Sequence, residues 1–243
     1  MRRLKQIACM TFAGVAVLGC AEEGPSGASD TTRALLAQPR AADVSTSVDP
    51  SRLADGDATL TVDLLGMNAG SPDAPVKVIE FVDFGCGFCR RFQLETFPSI
   101  RAEFIDTGMI EWKFLPFISG SFVNSPVVTE AAECVLDQDA ALFGALEKRL
   151  WADQSEWKGS DEPEALVRRW ATGVGANGEA FDACMRDDLR LDRMRSSTAF
   201  AAELGVRSTP TFWIVGGGPV QGALPLDVFR QLFNEVYEQV TQG

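Results

Sequence analysis

The strongest constraint on the fold is the junction at residues 76–92, where the run VKVIEFVDF passes through one glycine into CGFCRRF. Rich in β-branched and aromatic residues and preceded by GSPDAP, residues 76–84 predict a buried strand. Alternation puts Val76, Val78, Glu80, Val82 and Phe84 on one face, so Glu80 is an acid among hydrophobes. Beyond Gly85, Cys89, Phe92, Leu94, Ile100 and Phe104 recur at mostly helical spacing, predicting a helix from Cys86 to about Phe104 with a kink at Pro98. Cys86 then stands at a helix N-terminus, where unpaired N–H groups and the helix dipole favour an anion and lower a thiol pKa. The expectation is an exposed, nucleophilic Cys86 with Cys89, one turn inward, as its resolving partner.

The rest of the chain completes an α/β pattern. MIEWKFLPF, residues 109–117, predicts a second strand, and from Ser125 to Gly205 the periodicity is helical, with Gly205 suited to a C-terminal cap. TFWIV and PVQGA predict two short strands. PLDVFRQLFNEVYEQV carries an apolar stripe behind Pro225, which suits the first position of a closing helix.

Composition narrows the chemistry. The chain has 243 residues, net charge −12 and no histidine. Without residues 1–19, which carry Arg2, Arg3 and Lys5 and no acid, the charge is −15. No basic face is available for nucleic acid. Ser/His/Asp and Cys/His catalysis are excluded outright, and the common zinc and copper sites lose their commonest ligand. No cofactor or metal is predicted.

Residues 1–19 read as a signal peptide, with a basic start and the apolar run Ile7 to Leu18, too short to span a bilayer. Val17-Leu18-Gly19-Cys20 resembles the bacterial lipoprotein lipobox, which implies lipidation of Cys20; an ordinary cleaved signal is the alternative. Residues 20–59, poor in hydrophobic periodicity, predict a flexible tether. The predicted organisation continues with residues 60–117 as the first part of a folded domain, 118–205 as a helical insertion and 206–243 as its second part.

Four cysteines remain beyond Cys9 and Cys20, and four allow three disulfide connectivities. Cys86 with Cys89 and Cys134 with Cys184 is favoured, because an i, i+3 pair at a helix start is already close. Two free buried thiols at 134 and 184 are the alternative.

These pieces, APVKVIEFVDFGCGFCRRF, AAECVLDQ, LEKRLWADQ, FDACM and LGVRSTPTFWIVGG with VQGALPLDVF, occur in an order that resembles the thioredoxin-fold DsbA-like family over roughly residues 66–240. The resemblance implies a thioredoxin fold with an inserted α-helical domain. It also implies Cys86 as attacking cysteine, Cys89 as its partner, and Glu80 as the buried acid exchanging a proton with Cys89. A salt-bridged Glu80, with Lys113 as partner, is the competing reading. Pro210 resembles the family's cis-proline, which would turn Thr209 toward the disulfide and, with Phe88, toward a substrate strand. Cys134 and Cys184 resemble a structural disulfide of some members.

The implied function is cell-envelope thiol:disulfide exchange on exported proteins, in the oxidising direction, with a membrane redox partner for recycling and a lipid anchor. Gly87 and Phe88, where the strongest oxidants carry histidine, and Thr209 before Pro210 look more like reductase and isomerase relatives, so that direction is the alternative. From another class, the cysteine pair could belong to a thiolate metal-binding or chaperone module, although one pair supplies two of the four ligands of a closed zinc site.

Overall fold

The computed structural model describes residues 65–242. The predicted signal peptide, Cys20 and the tether lie outside the described residues. Five strands form one sheet: β1 (Met67–Ala69), β2 (Val76–Val82), β3 (Ile110–Pro116), β4 (Thr211–Ile214) and β5 (Gly218–Gln221), in the order β1-β3-β2-β4-β5. β2 and β3 are parallel, and the other neighbours pair antiparallel. Three-residue β1 is too short to leave a periodic signal, and no strand was expected there.

The parity of β2 decides what each side of the sheet packs against. Val76, Val78, Ile110, Trp112, Phe212 and Ile214 share one face, covered by residues 87–105 (α1) and by α8 (Leu226–Gln242). Ile79, Phe81, Leu115 and Trp213 share the other, covered by Phe200 and Ala201 of α7 (Leu191–Glu203). β2 is thus covered on both faces of the sheet, which explains its near-continuous hydrophobic run. Pro225 precedes α8 rather than opening it, and its carbonyl accepts from Val228 and Phe229 N–H.

α1 is not one regular helix. α-Helical Gly87–Arg91 gives way to a π-helical turn at Phe92–Thr96, an α-turn at Phe97–Ile100 and a second π-turn at Arg101–Ile105. Phe97 N–H bonds to Phe92 O, and Pro98, which has no N–H to give, follows directly. The wide turn absorbs the proline that the sequence marked as a kink.

Between β3 and β4 lie α2 (Ser125–Leu136), α3 (Ala140–Ala152), α4 (Gln154–Lys158), α5 (Pro163–Gly173), α6 (Gly178–Arg186) and α7. α2 to α6 build a second core around Val128, Phe143, Leu146, Trp157 and Phe181, which runs on into Val82, Phe84, Cys86, Cys89 and Phe114. Cys134 of α2 and Cys184 of α6 are joined by a disulfide across 50 residues, their Cα atoms 5.9 Å apart. α7 falls inside the stretch predicted as insertion yet packs on the sheet. It ends at Gly205, whose φ of +72° lets Val206 N–H reach back to Ala201 O at 2.9 Å.

Candidate active site

Where β2 ends, Asp83 turns the chain. Its Oδ1 accepts from Gly85 N–H at 2.9 Å and from the Ser125 hydroxyl, and its Oδ2 from Ser119 N–H and hydroxyl at 3.1 and 2.8 Å. Cys86 N–H closes the turn on Asp83 O at 2.9 Å. Gly85 is confined to glycine by contact, because a Cβ there would lie 2.3 Å from Phe122 Cβ. The turn delivers Cys86 to the N-cap of α1 in extended conformation (φ −76°, ψ 122°), with Sγ accepting from Cys89 N–H at 3.4 Å.

From the far end of the chain, Thr209 presents its carbonyl oxygen to the same sulfur at 3.3 Å, and the Thr209–Pro210 peptide is cis. Cys86 and Cys89 are free thiols. The Cys86 pKa is lowered from 9.0 to about 6. The Cys89 thiol, hydrogen-bonded to Cys86, is the largest cause; burial opposes it, and the Thr209 side chain and the N–H groups of Cys89 and Phe88 add to it. Burial, together with the neighbouring Cys86 sulfur, pushes the Cys89 thiol well above 9.0. Two sulfurs one turn apart are driven in opposite directions, as an attacking and a resolving thiol require.

One expectation needs correction. Cys86 was expected to be exposed, but only 5% of it is accessible, against none of Cys89. α4 and the Thr209 segment close over the turn, an enclosure invisible in local sequence. Phe88, by contrast, is 60% exposed beside the pair.

Glu80 is fully buried on the β2 face that carries Trp112 and Phe212. Its carboxylate accepts from Gln93 Nε2 at 2.9 and 3.0 Å and from Trp112 Nε1 at 3.0 Å. Burial dominates and raises its pKa from 4.5 to about 8, against the lowering by Trp112 and Gln93. The Lys113 pairing is overturned by register. Lys113 stands opposite Ile79, on the other side of the sheet from Glu80, and donates to Leu65 O at 3.0 Å. Gln93 also lines a cleft of about 970 Å³, with Phe97, Trp151 and Glu147 on its wall. Burial of the Glu147 carboxyl raises its pKa to about 7.

Sequence reasoning missed Asp83, Ser125, Gln93, Trp112 and two residues of α4. Gln154 Nε2 donates to Phe84 O at 2.6 Å and Cys86 O at 3.0 Å, and Lys158 Nζ to Gly85 O at 2.6 Å. Only the aspartate immediately after the strand was open to discovery, as a turn-former; the others meet the site through long-range packing. Among the described residues, no group of three or more His, Cys, Asp or Glu side chains is placed to hold a metal ion.

A family model described as Thioredoxin matches residues 64–235. The chain belongs to the thioredoxin family. Within it the chain is DsbA-like, and its chemistry is thiol:disulfide exchange. Probable disulfide bond formation protein D of Bacillus cereus is 28% identical over 153 residues, spanning 60% of this chain and 68% of that protein. Disulfide bond formation protein D of Bacillus subtilis is 32% identical over 149 residues, spanning 60% and 65%. The crystal structure of Wolbachia pipientis α-DsbA1 superposes with a TM-score of 0.65 at 21% identity, covering 74% of this chain and 97% of that one, a likeness of fold. The thioredoxin fold with helices inserted between β3 and β4 accords with that likeness.

Proposed function

We propose that this DsbA-like protein oxidises thiols of exported proteins in the cell envelope through a Cys86–Cys89 disulfide. The supporting observation is the placement of two free thiols one turn apart at one helix start, Cys86 at the N-cap with its Sγ accepting from Cys89 N–H and Cys89 buried beneath it, which lowers the Cys86 pKa to about 6 and raises that of Cys89. A thiolate stabilised in the reduced form makes the corresponding disulfide more oxidising.

A substrate thiolate attacks Cys86 Sγ, the Cys86–Cys89 bond breaks, and the electron pair leaves on Cys89. Glu80, protonated near neutrality, supplies the proton that the high-pKa Cys89 thiolate takes up, through water. A second substrate thiolate attacks the substrate sulfur of the mixed disulfide and releases the Cys86 thiolate. Two electrons pass from substrate to enzyme, and a membrane oxidase recovers them. Thr209 and Pro210 supply backbone for an extended substrate, and exposed Phe88 supplies apolar contact. Cys134–Cys184 acts as a structural cross-link. Residues 1–19 direct export, Cys20 carries the lipid anchor, and residues 20–59 form the tether between the anchor and the folded residues.

Equilibration with glutathione tests direction: a potential near or above about −200 mV supports oxidation, and one near about −270 mV sinks it in favour of reduction. In the same assay Cys89→Ser is expected to accumulate mixed disulfide, and Cys86→Ser to lose exchange.

A further inference from the structure

Three successive carbonyls at the turn into α1, those of Phe84, Gly85 and Cys86, all accept from side chains of one five-residue helix about seventy residues away. Gln154 takes the first and third and Lys158 the second. α4 is itself anchored. Trp157 is buried in the insertion core and donates Nε1 to Leu150 O at 2.9 Å, while Asn124 Nδ2 bonds the carbonyls of Trp157, Lys158 and Ser160. From the other side, Arg90 of α1 donates to Trp151 O at 2.8 Å and Ala152 O at 3.3 Å, at the end of α3.

We propose that Gln154 and Lys158 are positioning residues through which the helical insertion sets the acidity of Cys86 and hence the oxidising strength of the pair, an inference that rests on the exchange function above. Carbonyl oxygens carry partial negative charge and, beside Cys86, oppose a thiolate; that of Cys86 already accepts from Arg90 N–H at 3.1 Å, so there Gln154 adds to what α1 itself supplies. An ammonium and an amide that each donate to them withdraw that charge and hold the turn so that the N–H groups of α1 aim at the sulfur. Neither residue touches the sulfur, so both act through the backbone. Lys158 is otherwise an exposed side chain, its Nζ 4.6 Å from the centre of the Phe122 ring that packs on Gly85.

The test is Lys158→Met, which keeps the aliphatic stem on Phe122, beside Lys158→Arg and Gln154→Met. Cys86 ionisation is followed by thiolate ultraviolet absorbance, and the reduced/oxidised ratio is measured against glutathione. Because Lys158 is solvent-exposed, its removal is expected to raise the Cys86 midpoint by only about half a unit. That lowers the oxidising equilibrium constant about two- to threefold at pH 7. Lys158→Arg should restore both readouts, and Gln154→Met should move them in the same direction. A folded Lys158→Met with wild-type titration and wild-type equilibrium overturns the inference, and this variant decides even should Gln154→Met fail to fold. Wild-type protein without an acidic thiol, or inert toward glutathione, would instead overturn the exchange function itself.

Discussion

Cys86 Sγ lies 3.3 Å from the carbonyl oxygen of Thr209, 123 positions along the chain. The protonated thiol donates to this oxygen, and ionisation surrenders that bond for donors on the helix side, the Cys89 thiol foremost and the N–H groups of Cys89 and Phe88. The contact joins the start of α1 to the loop before β4, so the reactive sulfur is shared between the two parts of the interrupted domain.

Alkylation of the reduced protein should therefore follow one ionisation with a midpoint near pH 6, with Cys89 protected throughout the neutral range. Mass spectrometry of the modified peptide checks which sulfur reacts. The depressed pKa also stabilises the reduced fold. That contribution is complete above pH 9 and lost as pH falls through about 6, so urea midpoints of reduced wild type and Cys86→Ser should converge below pH 6.

Glu80 has the opposite sign. The unfolded chain loses this proton near 4.5 and the native protein near 8, so wild-type stability falls as pH rises across that window. Glu80→Gln should be more stable than wild type at pH 8 by several kcal/mol, an order-of-magnitude figure, with the difference shrinking toward pH 5. Denaturant titrations at both values check it. If Glu80 also supplies the Cys89 proton, the variant should exchange more slowly near neutrality.

Replacing Cys134 and Cys184 together by alanine removes a cross-link spanning 50 residues. The loop-entropy relation assigns it roughly 4 kcal/mol. Chemical denaturation should show that loss, while the glutathione equilibrium of Cys86 and Cys89 stays near wild type.

Gly85→Ala places a methyl 2.3 Å from Phe122 Cβ, against the turn that carries Cys86. Overpacking of this kind costs about 1–3 kcal/mol. The expected outcome is a lower unfolding midpoint together with a shifted Cys86 titration, because the methyl displaces the turn itself.

Much of this architecture was legible locally. A run of β-branched and aromatic residues behind a turn signal marked β2, and period-3.6 spacing marked α8 and the inserted helices. The cysteine spacing at a strand-to-helix junction pointed to Cys86 and Cys89, the two free thiols that the structure brings together at the start of α1. β1 escaped because three residues carry no period, and the π-turns of α1 escaped because their spacing still resembles that of a helix at this length. Glu80 was recognisable as an acid on a buried face, yet its partners Gln93 and Trp112 come from other elements whose register had to be seen.

Sequence alone determined the order of the elements from β2 onward and which residues could carry the chemistry, because side-chain periodicity and helix-end preferences are short-range properties of the chain. Only the tertiary structure decided how far Cys86 is covered, which side of the sheet Lys113 occupies, and that Asp83, Gln154 and Lys158 meet around one turn. Those are contacts between segments tens to more than a hundred residues apart, and no local preference encodes which distant donor will reach a given carbonyl.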